Sequence, residues 1–262
     1  MSGRSGRSGK RRQDGPRRPS RSRQQQHTQR GVQSAYEGPR EPSEQPTVRG
    51  WEDTRDFYSA LKIFVNETTR RNVKELVNEY AELNAMPRPE TSPEFTRSQL
   101  HFANKMIAVH FIEETALEPD LYRTKLAVLT RNGTMYVHHF HWRRWPDRGV
   151  PQNDLAPLRL LFHVQQFRRS VVHCSAGIGR TGTLVALHIA YDTLQRGHRL
   201  NILALARNLR QHRAQSVQTL DQYLYIYFVI LRYAQNKAAK LNIDERALTT
   251  FLREMDERMT RS

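Results

Sequence analysis

The sequence predicts a layered domain of the α/β or α+β class, preceded by a basic tail. Apolar residues recur at helical spacing in several stretches and alternate as in strands in others, and the two kinds of stretch are interspersed along the chain. With 262 residues, 37% of them hydrophobic, the chain is long enough for one sizeable domain and has the apolar content to bury a core.

Residues 1–50 are set apart by their charge. They hold 12 Lys and Arg against 4 Asp and Glu, and this net charge of +8 is half of the total of +16. So few apolar residues cannot offset the entropy that is lost on ordering, and we expect a disordered tail. It either stays solvated without a ligand or makes weak, nonspecific contacts with nucleic acid or acidic surfaces by neutralising phosphates.

The composition also excludes several classes of protein. A single Cys rules out a disulfide framework within the chain and a Cys-rich zinc site. The chain has no apolar run long enough to span a membrane, and the N-terminus lacks the apolar segment of a secretory signal. We therefore expect a cytoplasmic protein, with the nucleus as the alternative, and its positive charge favours anionic partners.

Order is expected to begin near Trp51, with two helices before a proline-rich stretch. Two groups of apolar residues recur at helical spacing. The first is Phe57, Leu61, Phe64 and Val65, and the second is Val73, Leu76, Val77, Tyr80 and Leu83. The second helix ends before the prolines at 87, 89 and 93.

Strands are predicted in the middle of the chain. The composition is typical of strands at Met106 to Ile112 and at Leu121 to Thr130, and the Asn132-Gly133 hairpin signal joins the latter to a strand at Thr134 to Trp142. Val171 and Val172 are predicted to form a further, short buried strand.

Five helices are predicted in the C-terminal half. Asn153 or Asp154 is expected to cap the first, whose apolar residues are Leu155, Leu158, Leu161, Phe162 and Val164. Three more are expected at Gly179 to Arg196, Asn201 to His212 and Thr219 to Gln235, and a charged amphipathic helix near Asp244 to Arg258.

The strongest chemical signal is the stretch HCSAGIGRTG at residues 173–182. The amides of a glycine-containing loop, with the N-terminus of the helix after it, form a cradle for anions, and the planar guanidinium of Arg180 can hold two phosphate oxygens. The same positive field favours the thiolate of Cys174, which makes the sulfur a ready nucleophile. The alternative is a buried structural cysteine, but the spacing of Cys, two Gly and Arg favours catalysis.

Two further elements are candidates for the same phosphoryl-transfer site. Trp145-Pro146-Asp147 follows the hairpin, and Asp147 could donate the proton that the leaving oxygen needs. Gln218 and Gln222 lie four residues apart at the start of a helix, where both amides share one face and could position a water molecule. Taken alone, the first element is more often a turn and the second a solvated pair.

The chain resembles the tyrosine-specific protein phosphatase family, in which a Cys and an Arg are separated by five residues. The resemblance lies in three stretches, HHFHWRRWPDRGVP at 138–151, VVHCSAGIGRTGTLVALH at 171–188 and QHRAQSVQTLDQYLYIY at 211–227. It implies an α/β fold with a twisted mixed β-sheet flanked by helices, in a domain at 51–262 whose catalytic core is at about 121–235. It also implies hydrolysis of phosphotyrosine in proteins through a cysteinyl-phosphate, without a metal or another cofactor.

The resemblance also implies the roles of individual residues. Cys174 is the nucleophile, Arg180 binds the phosphate and the transition state, and Asp147 acts first as an acid and then as a base. Gln218 orients the hydrolytic water. The residues implied to stabilise the sulfur anion are Thr181 and His173, and further contacts to phosphate or substrate are implied for Ser175, Ala176, Gly177, Ile178, Gly179, Gln222 and Trp145.

The chain departs from the family pattern before its central sheet. The family's phosphotyrosine-recognition loop has its nearest counterpart at Phe102-Ala103-Asn104-Lys105, which lacks the expected tyrosine. Only 35 positions separate Met86 from Leu121, so we expect the N-terminal part of the sheet to be reduced. The chain is then a reduced but working enzyme, a phosphate-binding module without catalysis, or the product of a gene model that lacks an exon.

Two other interpretations are weaker. His138, His139 and His141 suggest a metal site, because His139 and His141 share one face of a strand, but a third ligand is not evident nearby. RNA binding through residues 1–50 is the alternative to catalysis as a primary role.

Overall fold

In the part of the chain that the structure describes, several helices pack around one apolar helix, and a small sheet accompanies them. A computed structural model describes residues 53–87, 107–152 and 154–260, and the described elements lie within the unit Glu44–Ser262. None of the described helices combines the length and the apolar character needed to cross a bilayer. The elements are α1 (Arg55–Thr69), α2 (Val73–Asn84), β1 (Ala108–Glu118), β2 (Leu121–Thr130), β3 (Gly133–Trp142), α3 (Ala156–Val164), α4 (Arg180–Gln195), α5 (Ile202–His212), α6 (Leu220–Gln235), α7 (Ala238–Leu241) and α8 (Glu245–Thr260).

Helices α1 and α2 confirm the prediction, because each combines a capping side chain with one apolar face. Thr54 caps α1 by accepting a hydrogen bond from the amide of Phe57 at 3.2 Å, and Asn72 and Glu75 form a capping box at the start of α2. Trp51 and residues 1–50 lie outside the described residues, so the start of order and the disordered tail stay predictions. The buried residues are Phe57, Ala60, Leu61, Phe64, Val65 and Thr68 in α1, and Val73, Leu76 and Leu83 in α2.

The three strands form one sheet in the order β1-β2-β3. The predicted hairpin at Asn132-Gly133 joins β2 to β3, and Gly133 takes a φ of +123° that only glycine adopts easily. The first strand is longer than the prediction of Met106 to Ile112, because it continues to a second tight turn in which Asp120 has a φ of +66°. Short loops between strands of this length make the sheet antiparallel.

The fold class is α/β as predicted, but two details of the sheet are not. In the part of the chain that the structure describes, both strand pairings are antiparallel, so the expected mixed sheet is not found there. The predicted buried strand at Val171 and Val172 is wrong, since this segment has no strand structure and Val171 is 91% exposed. A strand needs a hydrogen-bonded neighbour, and the described sheet ends at β3 without reaching this segment.

The start of α3 also differs from the prediction. Its N-cap is Leu155, which makes no side-chain capping hydrogen bond, and Pro157 stands in the first turn, where its fixed φ suits a helix start. Asp154 is not the cap, because its carboxylate lies 3.0 Å from Nε of Arg232 in an ion pair. Asn153, the other predicted cap, lies outside the described residues.

Helix α6 forms the centre of the core. Every residue from Gln222 to Leu231 is buried, and α1, α2, α4 and α8 all pack against it. A capping box of Thr219 and Gln222 starts the helix, which lies where the sequence predicted it. The structure likewise confirms the helices predicted for α4, α5 and α8 to within two residues, whereas the short α7 was not predicted.

Candidate active site

Cys174 lies in a tight loop, residues 174–179, directly before α4; we call it the phosphate loop. The amide of Gly177 donates a hydrogen bond to Cys174 Sγ at 3.2 Å. Gly177 has a φ of +69°, and a Cβ atom there would lie 2.7 Å from Nη2 of Arg213. Glycine is needed at this position both for its backbone conformation and for the close approach of the arginine.

Several groups favour the anionic form of Cys174. Burial opposes the anion and is the largest single influence on the pKa of the thiol, yet that pKa is lowered below its ordinary value. The hydroxyl and amide of Thr181, the amide of Gly177 and the charge of Arg180 together outweigh burial. Because Thr181 belongs to the first turn of α4, the positive end of the helix contributes to the same field. The site therefore favours the thiolate, which is the nucleophilic form of cysteine.

The back of the phosphate loop is held by groups that bind its carbonyl oxygens. Arg213 donates from Nε to the carbonyl of Gly177 at 2.6 Å and from Nη2 to that of Ala176 at 3.2 Å. The carbonyl of Ile178 accepts from the amide of Val217 at 3.0 Å. With these carbonyls engaged, the amides of the loop are the groups that can face a bound anion.

Arg180 joins the phosphate loop to the Trp-Pro-Asp segment. Its guanidinium donates to Ser175 Oγ at 2.8 Å, to Asp147 Oδ1 at 3.2 Å and to the carbonyl of Trp145 at 3.2 Å. One arginine thus spans the two segments that the sequence predicted to form a single site. A phosphoryl group bound in the loop would meet a guanidinium whose orientation is already set.

The Trp-Pro-Asp segment is a compact turn with Asp147 at its tip. Trp145 is buried, its Nε1 donates to the carbonyl of Gly149 at 3.0 Å, and its ring meets the edge of Trp142 with 5.1 Å between centroids. The Asp147 side chain is 73% exposed. The tryptophan therefore anchors the turn in the core, while the carboxyl group remains accessible to a substrate.

Both predicted glutamines lie beside Gly179 of the phosphate loop, and their hydrogen bonds differ. Oε1 of Gln222 accepts from the amides of Gln218 at 2.9 Å and Thr219 at 3.3 Å, and Nε2 donates to the carbonyl of Gly149 at 3.4 Å. A Cβ atom at Gly179 would lie 3.0 Å from Oε1 of Gln218. Gln218 precedes the helix instead of sharing a helical face with Gln222, because the helix begins after Thr219. The side chain of Gln222 holds the backbone at Gln218 and Thr219, whereas the side-chain amide of Gln218 lies beside Gly179 of the phosphate loop.

Two functional features were missed by sequence reasoning. Arg213 braces the phosphate loop, and Arg210, only 7% exposed, binds the backbone of residues 215–218, which we call the glutamine segment. The only feature of the sequence that pointed to these two arginines was the presence of basic residues near QHRAQS. A single sequence with 42 Lys and Arg offers no means to separate these two from solvated ones.

His139 and His141 lie together near His173, the residue before Cys174. The rings of His139 and His141 stack with 5.5 Å between centroids, on one face of β3 as predicted. Burial lowers the pKa of His139, and the charges of His141 and His173 lower it further. His173 therefore lies near this pair, and its implied effect on the thiol stays a prediction. Within the described ranges, no three His, Cys, Asp or Glu side chains are grouped to hold a metal ion.

Comparisons with known proteins identify the family to which the chain is similar. The sequence pattern described as protein-tyrosine phosphatase matches residues 86–232, more than half of the chain. Tyrosine-protein phosphatase non-receptor type 2 of Mus musculus is 28% identical over 165 residues, which cover 60% of this chain and 40% of that protein. Receptor-type tyrosine-protein phosphatase H of Homo sapiens is 38% identical over 112 residues, which cover 40% of this chain and 10% of that protein.

A solved structure, the catalytic domain of human Protein Tyrosine Phosphatase non-receptor Type 18, is 27% identical, with a TM-score of 0.45 and 48% of each chain covered. The chain thus spans less than half the length of these relatives. The segment Phe102–Lys105, the nearest counterpart of a phosphotyrosine-recognition loop, lies outside the described residues.

Proposed function

The chain belongs to the protein-tyrosine phosphatase family, and on this premise we propose that it hydrolyses phosphotyrosine in proteins through a cysteinyl-phosphate. One observation carries the proposal. Arg180 is hydrogen-bonded both to Ser175 in the phosphate loop and to Asp147 in the Trp-Pro-Asp segment, so the nucleophile and the acid belong to one assembled site. The lowered pKa of Cys174 supports it, because the thiolate is the form that attacks.

In the first step, the thiolate of Cys174 attacks phosphorus. A sulfur–phosphorus bond forms as the bond between phosphorus and the tyrosine oxygen breaks. The electron pair of the broken bond stays on that oxygen, which takes the proton of the Asp147 carboxyl group. The amides of the phosphate loop and the guanidinium of Arg180 stabilise the charge on the phosphoryl oxygens.

In the second step, water hydrolyses the cysteinyl-phosphate. The side-chain amide of Gln218 orients the water molecule, whose oxygen bonds to phosphorus. One proton of the water passes to the Asp147 carboxylate. The sulfur–phosphorus bond breaks, and its electron pair returns to Cys174 as a thiolate, which Thr181 and the helix N-terminus stabilise. Inorganic phosphate leaves.

Phosphate release from a phosphotyrosyl peptide tests the proposal. We expect the purified chain to turn the peptide over, and Cys174→Ser to bind the peptide without releasing phosphate. Asp147→Asn should slow peptide hydrolysis by about 100-fold or more, and should slow p-nitrophenyl phosphate much less, because its leaving group needs little protonation. Asp192→Asn, which changes an exposed carboxylate of α4 in an ion pair with Arg196, is the matched control.

A second candidate is a module that captures phosphorylated proteins without hydrolysing them. It is favoured by the small sheet, on which Val109, Phe111 and Met135 are 59%, 65% and 57% exposed. A catalytic domain whose sheet lacks part of its surroundings can keep a phosphate site while it loses the rate. In this case a folded wild-type chain would release no phosphate, and phosphopeptide binding would disappear in Arg180→Ala.

The partners and the compartment follow from the same proposal. We expect phosphotyrosine-containing signalling proteins of the cytoplasm, or of the nucleus, as substrates, and we expect residues 1–50 to add weak contacts with nucleic acid or acidic surfaces through their charge of +8. Deleting residues 1–50 should then abolish binding to RNA and to anionic vesicles, together with its steep salt dependence. Binding that survives the deletion would contradict this part of the proposal.

A further inference from the structure

The glutamine segment has a backbone that needs support from the rest of the molecule. Gln215 and Val217 have φ values of +62° and +61°. This left-handed conformation is unfavourable for a residue with a side chain, and most of all for a β-branched one such as Val217. Such a backbone persists only where its surroundings overdetermine it, and this segment carries Gln218 to the phosphate loop.

Arg210 supplies part of that support from inside the protein. Its buried guanidinium donates to the carbonyls of Ser216 at 3.0 Å and Val217 at 2.8 Å, and to that of Leu83 at 2.7 Å. Leu83 belongs to α2, so the arginine ties the glutamine segment to a helix that is distant in sequence. A guanidinium is suited to this role because its planar donors point in fixed directions.

Tyr80, also in α2, binds Gln218 itself. Its hydroxyl donates to the backbone carbonyl of Gln218 at 2.6 Å, and its ring lies 5.8 Å from the guanidinium of Arg210. Burial raises the pKa of Tyr80, so the phenol keeps its proton and remains a donor. The amide N–H of Gln218 is held from the other side by Gln222. Both backbone polar groups of Gln218 are therefore held, which fixes the direction in which its side chain leaves the backbone.

We propose that Tyr80 is a positioning residue for the second chemical step, because it holds the backbone carbonyl of Gln218 and so directs that side chain toward the hydrolytic water. The inference rests on the proposed function. Tyr80 acts through Gln218 and leaves the first step, the attack of Cys174 on phosphorus, unaffected. The structure thereby gives the N-terminal helices a part in hydrolysis of the cysteinyl-phosphate.

The variant Tyr80→Phe tests the inference, since it keeps the ring and removes only the hydroxyl. Tyr58→Phe is the matched control, because it removes a tyrosine hydroxyl that binds Asp53 at 2.9 Å instead of the glutamine segment. With p-nitrophenyl phosphate in a rapid-mixing experiment, the initial burst of p-nitrophenol reports the first step and the steady phase reports hydrolysis.

We expect Tyr80→Phe to form p-nitrophenol in the burst at the wild-type rate and to hydrolyse the intermediate about three- to ten-fold more slowly, as for the loss of one hydrogen bond. The burst should grow accordingly. An added alcohol should also capture more of the cysteinyl-phosphate as a phosphate ester, because a less well oriented water competes less well. Tyr58→Phe should match the wild type in both respects.

Three outcomes would count against the inference. If Tyr80→Phe matches the wild type in hydrolysis and in partitioning to alcohol, the inference is overturned and the proposed function stands. If Tyr80→Phe slows both steps equally and lowers the melting temperature, Tyr80 is merely structural and the inference is also overturned. If the wild-type chain releases no p-nitrophenol at all, the proposed function fails and the inference fails with it.

Discussion

The reactive sulfur of Cys174 is governed by opposing effects that act within a few ångströms. Burial alone would raise the pKa of the thiol, but the donors around the sulfur lower that pKa by more, so the net shift is downward. These donors all lie within the eight residues from Cys174 to Thr181, which include the start of one helix. A nucleophile built from neighbours in sequence is one that a sequence pattern can reveal.

Thr181→Ala should raise the pKa of Cys174, because one of the groups that offset burial is removed. The rate of alkylation by iodoacetamide as a function of pH reports the thiolate, and we expect the wild-type midpoint to lie below that of free cysteine and to move upward in the variant. Since the folded pKa lies below the unfolded one, the anion contributes stability that is fully present above the unfolded pKa and is lost as the pH falls through the folded pKa.

The control for this experiment is Thr193→Ala. Thr193 lies in the same helix, and its hydroxyl binds the carbonyl of Ile189, away from the sulfur. Its alkylation profile should match that of the wild type. Superimposable profiles for Thr181→Ala and the wild type would show that the Thr181 hydroxyl does not act on Cys174.

Residues that position the site from a distance could not be predicted. Tyr80 and Gln218 are hydrogen-bonded across 138 positions, and Arg210 reaches Leu83 across 127. In the sequence, Tyr80 is one more apolar position on a helix, and Arg210 is one more cation. Their roles depend on which backbone carbonyls the fold brings within 3 Å, and no local pattern records that.

At the scale of elements, helix α2 is attached to the central helix α6 through a carboxylate. Oε2 of Glu79 accepts hydrogen bonds from the hydroxyls of Tyr223 and Tyr227, each at 2.8 Å, and Oε1 pairs with Nη2 of Arg71 at 2.7 Å. Burial raises the pKa of both tyrosines, so both phenols remain donors. This cluster links α2, which carries Tyr80, to α6, which begins directly after the glutamine segment and Thr219.

Glu79→Ala should lower the free energy of unfolding by about 2–3 kcal/mol, because it leaves two buried hydroxyls without their acceptor and removes one of the two carboxylates that pair with Arg71. Urea unfolding measures the change. Glu82→Ala is the control in the same helix, since its exposed ion pair with Arg207 should be worth less than about 1 kcal/mol. Equal losses in the two variants would contradict the role of Glu79 as a buried acceptor.

Elements with local signals were predicted well, and elements that depend on neighbours were not. Helices α2 and α6 begin directly after the N-cap residues Asn72 and Thr219, and Asn132-Gly133 marks the hairpin. Val171 and Val172 have strand composition, but among the described residues they pair with no strand, so their propensity is overruled. Asp154 has the composition of a cap but is drawn into an ion pair with Arg232.

At the scale of the whole molecule, the sheet leaves an unusual amount of apolar surface in contact with water. Val109 and Phe111 lie on β1 and Met135 on β3, on either side of β2, and each is more than half exposed. Within the described residues, β1 pairs only with β2, so its other edge is open there. An open edge beside an apolar face is the combination that favours association.

Phe111→Ser should therefore reduce concentration-dependent association and the binding of an apolar dye, while the free energy of unfolding changes by less than about 0.5 kcal/mol. Light scattering and dye fluorescence measure the two effects. Ile63→Ser, an exposed apolar residue of α1, is the control and should change neither. A wild-type chain that stays monomeric at every concentration and binds no dye would refute this prediction.

The sequence by itself determined the α/β class, most helix boundaries, the hairpin and the loop from Cys174 to Arg180. All of these depend on residues within a few positions of one another, whose spacing, caps and backbone preferences act locally. The tertiary structure alone decided that Arg180 would hold Asp147, that Arg210 and Tyr80 would hold the glutamine segment, and that Val171 would lie exposed. Those outcomes depend on contacts between distant parts of the chain, because the partners of these buried donors and acceptors are brought within reach only by the complete fold.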